Sequence, residues 1–222
     1  MSSGVRYKWQ GSHIKILTAF DADSPSHAIS AVTKANPGVA TSTAHGLPTT
    51  GVAVIYVTGV GGMTELNSRA IVVERVDANT FKLLNINTTN YGTYTSGGQF
   101  DVGSFSEMCE LTGWNDAGQE AATIDATTIC SDELEYESGL SGQGSVTANY
   151  NFAPLTNIQV AMHNWRISGL MTAFQIILPG AGGTITQLGF VVNESFQSAN
   201  GQLWTGSSTF RLTGSRDVRA TA

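Results

Sequence analysis

The chain has 222 residues, a net charge of −6 and a composition that is 41% hydrophobic and only 13% charged, with 25 glycines. Such a profile is typical of a turn-rich, mainly β protein, and the low charge content suits a subunit that buries much of its surface in an assembly. The acidic balance and the lack of a cationic patch argue against a nucleic-acid-binding protein. No apolar run approaches the ~20 residues that cross a bilayer, so we expect no membrane insertion.

The N-terminal region predicts one strand, His13–Phe20, in which Ile14 and Ile16 share a face and Lys15 lies on the other. No continuous apolar core or small-residue cleavage site marks a signal peptide, so we expect a chain that begins soluble in the cytoplasm. The length fits one large β domain or two small ones, and a change of composition near Ala28 favours two.

Residues 28–100, called the window below, carry four basic residues against three acidic ones, unlike the segment that follows. Turn signals such as Asn36-Pro37-Gly38 and Gly61-Gly62 separate short strand candidates, a spacing typical of a small sandwich or barrel. We therefore predict a β module inserted between residues 1–27 and 101–222. Its strand candidates are Ala28–Lys34, Gly38–Thr43, Val52–Thr58, Ala70–Val76 and Thr80–Leu84.

After a predicted strand at Gly103–Trp114, the segments Ala122–Ile129 and Ser145–Phe152 have β-branched and aromatic residues near every second position, as strands with one buried face do. The connection between these segments is acidic, rich in glycine, and longer than the usual hairpin loop of about two to five residues. We interpret this connection as an arm that contacts a neighbouring subunit, with a solvated mobile loop as the alternative. Its candidate contact residues are Asp132, Glu133, Glu135, Tyr136, Glu137 and Leu140.

An amphipathic helix is predicted at Pro154–Ser168, because apolar residues recur at three- and four-residue steps and Gly169 suits the end. These apolar residues are Leu155, Ile158, Ala161, Met162 and Trp165. The remainder predicts strands at Met171–Leu178, Thr184–Gln197 and Leu203–Thr213, the last two joined by a turn containing Asn200-Gly201. The polar terminal sequence GSRDVRATA is expected to be loose.

Carboxylates dominate residues 101–154, which hold ten Asp or Glu residues and no Lys or Arg. Such a segment repels nucleic acid. Its members are Asp101, Glu107, Glu110, Asp116, Glu120, Asp125, Asp132, Glu133, Glu135 and Glu137.

Catalytic and metal-binding patterns are weak. The four histidines lack metal-ligand spacing, neither cysteine belongs to a Cys-x-x-Cys pair, and SDELEYES lacks the regular spacing of a calcium loop. We expect no cofactor and no enzyme activity. Cys109 and Cys130 are expected to be buried, unbonded thiols, with a disulfide as the less favoured alternative.

The window resembles a small β module of phage structural proteins, through ISAVTKANPGVATSTAHGL, VTGVGGMTELNSRA, VDANTFKLLNINTTNY and GTYTSGG. That module is often labelled for a similar domain of ubiquitin-activating enzymes. The resemblance implies a surface-displayed accessory domain with an Ig-like β fold.

Residues 1–27 and 101–222 resemble phage major tail tube proteins of the long, non-contractile type. The resemblance lies in ATIDATTICSDELEYESGLSGQGSVTANYNF, NIQVAMHNWRISGLMTAFQIILPG and GFVVNESFQSANGQLWTGSSTFRLTGS, and in their order. It implies a β-sandwich or barrel-like body with one helix, which forms hexameric rings that stack into a tube for DNA ejection.

The resemblance also implies where the protein acts and with what. It implies a virion tail assembled in the host cytoplasm, with initiator, terminator and tape measure proteins as partners and DNA passing without specific binding. Candidate lumen carboxylates are Glu107, Glu110, Asp116, Glu120 and Asp125. The alternative function is a binding module that recognises a host surface or glycan through the window.

Overall fold

A computed structural model describes residues 6–20, 26–118, 121–180 and 182–220. Over these residues the protein is mainly β with a single α-helix, which confirms the fold class predicted from the sequence. The first strands are β1 (His13–Phe20), β2 (His27–Ala28), β3 (Ala31–Val32), β4 (Gly38–Thr41), β5 (Ala53–Gly61), β6 (Arg69–Arg75) and β7 (Thr80–Leu83). The next are β8 (Ser96–Glu107), β9 (Leu111–Asp116), β10 (Ala121–Asp125), β11 (Tyr136–Ser141) and β12 (Ser145–Asn151). The helix α1 (Asn157–Ser168) precedes β13 (Thr172–Ile177), β14 (Thr184–Gln197) and β15 (Thr205–Arg219).

Thirteen strands form one antiparallel sheet in the order β3-β4-β7-β6-β5-β8-β1-β13-β14-β15-β12-β9, with β2 paired to β8. The long strand β8 joins its two parts: Phe100 lies opposite Val57 of β5, and Phe105 lies opposite Leu17 of β1. Strands β10 and β11 pair with each other in a separate two-stranded sheet.

Two clusters of buried apolar side chains lie on this framework. One is formed within the window, around Phe81, Phe100 and Met63. The other lies between α1 and strands on both sides of β8, around Phe174, Phe210 and Met162.

The window is joined to the rest of the protein by packing as well as by β8. Alternate residues of β5 point to opposite faces of the sheet, so Ile55 packs in the window cluster while Val54 packs in the other cluster. In β6, Ile71 and Val72 divide in the same way. Two window strands are therefore buried on both faces, and the prediction of a separate inserted domain stays a prediction.

The helix starts later than the sequence predicts. It begins at Asn157, after Thr156, and ends at Ser168. The next residue, Gly169, has a φ of 64°, the left-handed conformation that glycine favours at a helix end. Ile158, Ala161, Met162 and Trp165 are buried as predicted, whereas Leu155 precedes the helix and is 93% exposed.

Several predicted strands need correction. Gly103–Trp114 is not one strand, because residues 108–110 turn the chain between β8 and β9. The strand predicted at Ala122–Ile129 ends at Asp125, and all five residues of β10 are exposed, so the expectation of a buried face is wrong. The sequence GSRDVR is not loose, since β15 continues to Arg219 and pairs with residues 184–186 of β14.

No helix in the described part of the chain is long and apolar enough to cross a membrane.

Candidate interaction surfaces

The acidic connection predicted as a loop is in large part a β-hairpin, which we call the arm (residues 121–141). Tyr136–Ser141 forms β11 and pairs with β10, with Ile124 opposite Glu137 and Asp125 opposite Tyr136. The ladder is irregular near Gly139, where a Cβ would meet the carbonyl oxygen and side chain of Ala122 at 3.1–3.2 Å. The arm is therefore built from backbone pairing and has little buried side-chain contact.

Hydrogen bonds also order the turn at the tip of the arm. The Ala126 N–H donates to the carbonyl oxygen of Glu135 at 2.9 Å, and the Glu135 N–H donates to Thr127 Oγ1 at 3.0 Å. The Ser131 hydroxyl donates to the Glu135 carboxylate at 3.1 Å. The hydroxyl and backbone N–H of Thr127 both donate to Asp125 and lower the pKa of that carboxyl below its ordinary value.

All six candidate contact residues of the arm are exposed. The arm also exposes Ile124, Ile129 and Leu134, so its surface is apolar as well as acidic. Exposed apolar side chains on a narrow hairpin are typical of a surface that a partner covers. Their role as contacts remains a prediction.

The candidate lumen carboxylates are spread along the fold. Glu107 at the end of β8 contacts His13, and Glu110 lies half-buried in the next turn. At the far end of β9, Asp116 forms a salt bridge with Arg216 of β15, a partner that lies outside the segment free of Lys and Arg. Asp125 is on the arm, and Glu120 lies outside the described residues.

The two thiols are free, as preferred from the sequence, but both are exposed, so the expectation of burial is wrong. Cys109 lies in the turn between β8 and β9, and Cys130 lies in the turn of the arm. The two cysteines are exposed because both lie in turns, and neither belongs to a strand with a buried face. Across the described residues, no three His, Cys, Asp or Glu side chains come together in a way that could hold a metal.

A second apolar surface was not predicted from the sequence. Phe152, Phe196 and Trp204 form a triad, with Phe152 stacked on Phe196 at a centroid distance of 5.0 Å and Trp204 6.3–6.4 Å from both. The Phe152 N–H donates to the Trp204 carbonyl at 2.9 Å, which fixes the two chain segments together. We call the triad, together with three exposed residues close to it in sequence or in the adjoining cleft, the aromatic patch. These three are Leu155, Val160 and Leu203.

A cleft of about 280 Å³ opens beside the triad, between the start of α1 and the end of β14. Phe152, Val160 and Phe196 line its apolar wall, and His163 and Glu194 line its rim. Glu194 accepts hydrogen bonds from Arg166 at 2.7 Å and forms a contact of 3.1 Å with His163, so its charge is partly balanced. The cleft is therefore apolar along one wall and polar at its rim.

The tyrosines of the window are engaged within the fold. The Tyr56 ring lies 5.1 Å from that of Phe20, the Tyr91 hydroxyl accepts from Arg69 at 3.2 Å, and the Tyr94 hydroxyl donates to the Ile29 carbonyl at 2.9 Å. These contacts do not support an open aromatic platform of the kind that a glycan-binding window would use.

Comparison with known proteins assigns the family. The model of the family described as phage tail tube protein matches residues 61–215, a range that includes the second half of the window. No curated protein matches the chain. Two similar solved structures are the tail of an empty gene transfer agent (GTA) particle, computed with helical refinement in C6 symmetry, and the virion of a native GTA particle. Each is 16% identical with a TM-score of 0.44 and covers 52% of this chain, and the matches cover 87% and 89% of those chains.

The fold defines a mainly β protein with one α-helix and an exposed arm among the described residues. The family model covers well over half of the sequence, and the chain belongs to the phage tail tube protein family. Because this family is structural and not enzymatic, the chain is a structural component of a phage tail and has no catalytic role.

Proposed function

We propose that the chain is the major subunit of a tail tube, in which hexameric rings stack to form the conduit for DNA ejection. The arm is the observation that supports this proposal most strongly. It projects an acidic and apolar surface that is held by its own backbone ladder and not by the core. A surface of this kind is stabilised when a neighbouring subunit covers it.

The large sheet offers a second means of association. Strand β9 is the last strand at one end of the sheet. None of the other described strands pairs with its outer edge, which a strand of a neighbouring subunit could therefore join. A free edge pairs readily with another strand unless something protects it. Lateral contacts of this heterologous kind close into rings when the rotation between subunits is one-sixth of a turn.

The excess of carboxylates in residues 101–154 suits the inner wall of such a tube. DNA must slide through the channel, and each cationic contact would add salt-dependent affinity that holds it back. We propose that Glu107, Glu110, Asp116, Glu120 and Asp125 contribute to this wall. Asp116 contributes less net charge to this wall than the others, because Arg216 pairs with it.

In this proposal the window projects outward, since an insertion into the lumen would block the channel. The tube is assembled in the host cytoplasm on a tail-tip initiator, surrounds the tape measure protein, and is closed by a terminator. DNA and the tape measure pass without specific binding.

Negative-stain electron microscopy of the purified, concentrated protein tests the proposal. We expect tubes or six-fold rings with knobs on the outside. A variant in which a short glycine turn replaces residues 119–143 should keep the fold, because the Ala117 N–H already bonds the Ser145 carbonyl at the base of the arm at 2.9 Å. This variant should not form tubes. Normal tubes without the arm would contradict its role. A wild-type chain that forms neither rings nor tubes, even after tail-tip initiator proteins are added, would contradict the tube function itself.

A further inference from the structure

The exposed apolar side chains of this protein are concentrated on two surfaces. Among the 17 large apolar side chains that are exposed in the described chain, five are on the arm and five on the aromatic patch. Those of the arm are Ile124, Ile129, Leu134, Tyr136 and Leu140, and those of the patch are Leu155, Val160, Phe196, Leu203 and Trp204.

The two surfaces lie at opposite ends of the same strands. The arm leaves the sheet where β9 ends and β12 begins, beside Asp116 and Ser145. The patch lies where β12 ends, β14 ends and β15 begins, around the paired residues Asn151, Thr205 and Gln197. The seven residues of β12 separate the two ends by about 20 Å.

Within one copy the two surfaces do not cover each other. Leu140 is 91% exposed on the arm, and Leu155 is 93% exposed on the patch. A second copy displaced along β12 would bring its arm toward the patch of the first. Such a contact is heterologous and leaves a free arm at one end and a free patch at the other, so it propagates into a filament.

The start of α1 at the patch also suits an acidic partner, and the Glu194 carboxylate at the rim of the cleft is already paired with Arg166. The arm has carboxylates on both sides of its apolar residues, including Glu133, Glu135 and Glu137. At the patch, α1 begins at Asn157 with no acidic residue in its first turn and no side-chain cap in the described structure. The positive end of the helix dipole therefore faces the region where an acidic arm would dock.

We propose that the arm of one subunit docks on the aromatic patch of a second copy of this chain in the next ring, with an apolar side chain of the arm in the cleft between Phe152, Val160 and Phe196. This inference rests on the proposed tube function. It assigns the contact between successive rings to these two surfaces and leaves the contacts within a ring to other parts of the sheet.

Paired variants test this contact in the full-length protein. The arm variant is Leu134→Ser with Leu140→Ser, and the patch variant is Leu155→Ser with Trp204→Ser. All four residues are exposed, so the fold should be kept. Each buried large apolar side chain contributes about tenfold or more to association, so each double variant should raise the critical concentration for tubes by about 100-fold or more. The matched control, Val76→Ser with Val218→Ser, alters exposed residues outside both surfaces and should leave tube formation unchanged.

Mixing the two defective variants tests the direction of the contact. Rings of the arm variant still have a patch, and rings of the patch variant still have an arm. We expect single rings from either variant alone and double rings, but no tubes, from the mixture, measured by sedimentation velocity and microscopy. Tubes from either variant at the wild-type concentration would overturn the proposal. A folded variant that no longer forms rings would place the contact within a ring and would also overturn it.

The native thiols provide a second measurement. Cys130 lies at the tip of the arm, and Cys109 lies beside the patch, because the neighbouring Glu110 carbonyl accepts a hydrogen bond from the Asn151 N–H at 2.9 Å. A short bismaleimide added to wild-type tubes should link Cys109 of one copy to Cys130 of another, as peptide mapping would show. Cys130→Ser is the control and should remove the product. A product linking only like cysteines, or no mixed product in tubes that do form, would overturn the proposal while leaving the tube function intact.

Discussion

The indole N–H of Trp165 on α1 donates to the carbonyl oxygen of Leu17 on β1 at a distance of 2.8 Å. Both residues are buried, and Leu17 lies in the strand that pairs with the long strand β8. The bond lies beside an irregularity of the β1–β8 ladder between Leu17 and Ala19. It thereby ties α1 to the strand next to β8.

Replacing Trp165 by Phe should lower the free energy of unfolding by about 1–3 kcal/mol, because the buried Leu17 carbonyl loses its donor and the smaller ring leaves space. Urea unfolding followed by circular dichroism measures the change. Trp9→Phe is a matched control at an exposed tryptophan and should change stability little. An equal effect of both substitutions would contradict the role of the bond.

Gly206 allows the Tyr150 ring to lie over β15, since a Cβ at this position would clash with that ring. We expect Gly206→Ala to destabilise the fold by about 1–3 kcal/mol through overpacking. Gly113→Ala is the control: it lies on β9, and its Cβ would only reach ordinary contact with Asn149 at 3.5 Å. Thermal unfolding of the two variants compares them, and a Gly206→Ala protein as stable as Gly113→Ala would show that Tyr150 moves aside without cost.

The sequence predicted those elements whose residues alternate between a buried and an exposed face. His13–Phe20 and Thr184–Gln197 have the predicted bounds, because their apolar residues face the core. The prediction of a loop at Tyr136–Ser141 was wrong, because this segment forms β11. Its residues (Tyr, Glu, Ser, Gly and Leu) show no burial pattern, and the strand is stabilised by backbone pairing with β10. The polar end of β15 was missed for the same reason.

The aromatic patch could not be predicted from sequence spacing. Phe196 and Trp204 are eight positions apart at the ends of two strands, and they meet because β14 and β15 pair with Gln197 opposite Thr205. Phe152 joins them through the pairing of β12 with β15. Phe152 is distant from the other two in sequence, so only the register of the sheet brings the three strand ends into one surface. The arm, by contrast, was recognised because its acidic residues lie in one continuous segment.

The salt bridge between Glu74 of β6 and Arg219 of β15 joins the window to the rest of the protein, and Arg219 also contacts Asp217 at 3.1 Å. The hydrogen bond from Arg219 to Glu74 is the main reason why the pKa of this guanidinium is raised above its ordinary value. Because both side chains are partly exposed, Glu74→Gln should lower the free energy of unfolding by about 1 kcal/mol or less at low salt. In ~1 M NaCl the difference in free energy of unfolding between Glu74→Gln and wild type should be smaller, because salt screens the ion pair. Glu133→Gln, which neutralises an exposed carboxylate on the arm, is the control. A loss of stability in Glu74→Gln that does not depend on salt would contradict an ionic origin.

Tyr150 makes the stability of the fold depend on alkaline pH. The side chain is buried, and its hydroxyl lies 2.8 Å from Ser208 Oγ. Burial is the main cause that raises the pKa of Tyr150 above its ordinary value of 10.0, and the nearby Glu194 carboxylate acts in the same direction, while the Ser208 hydrogen bond opposes them. The folded state therefore holds the phenolic proton more tightly than the unfolded state does. Its contribution to stability is fully present below about pH 10 and is lost as the pH rises through the folded-state pKa.

Tyr150→Phe should accordingly be less stable than wild type at pH 8, because the buried Ser208 hydroxyl loses its partner. The difference in free energy of unfolding between the two proteins should become smaller as the pH rises above about 10. Only the wild type has a phenol at this position, and its ionisation favours the unfolded state. Urea unfolding at a series of pH values from 8 upward measures this difference. Tyr136→Phe on the exposed arm is the control and should run parallel to wild type across the range. If the gap between Tyr150→Phe and wild type stayed constant with pH, the raised pKa of Tyr150 would be refuted.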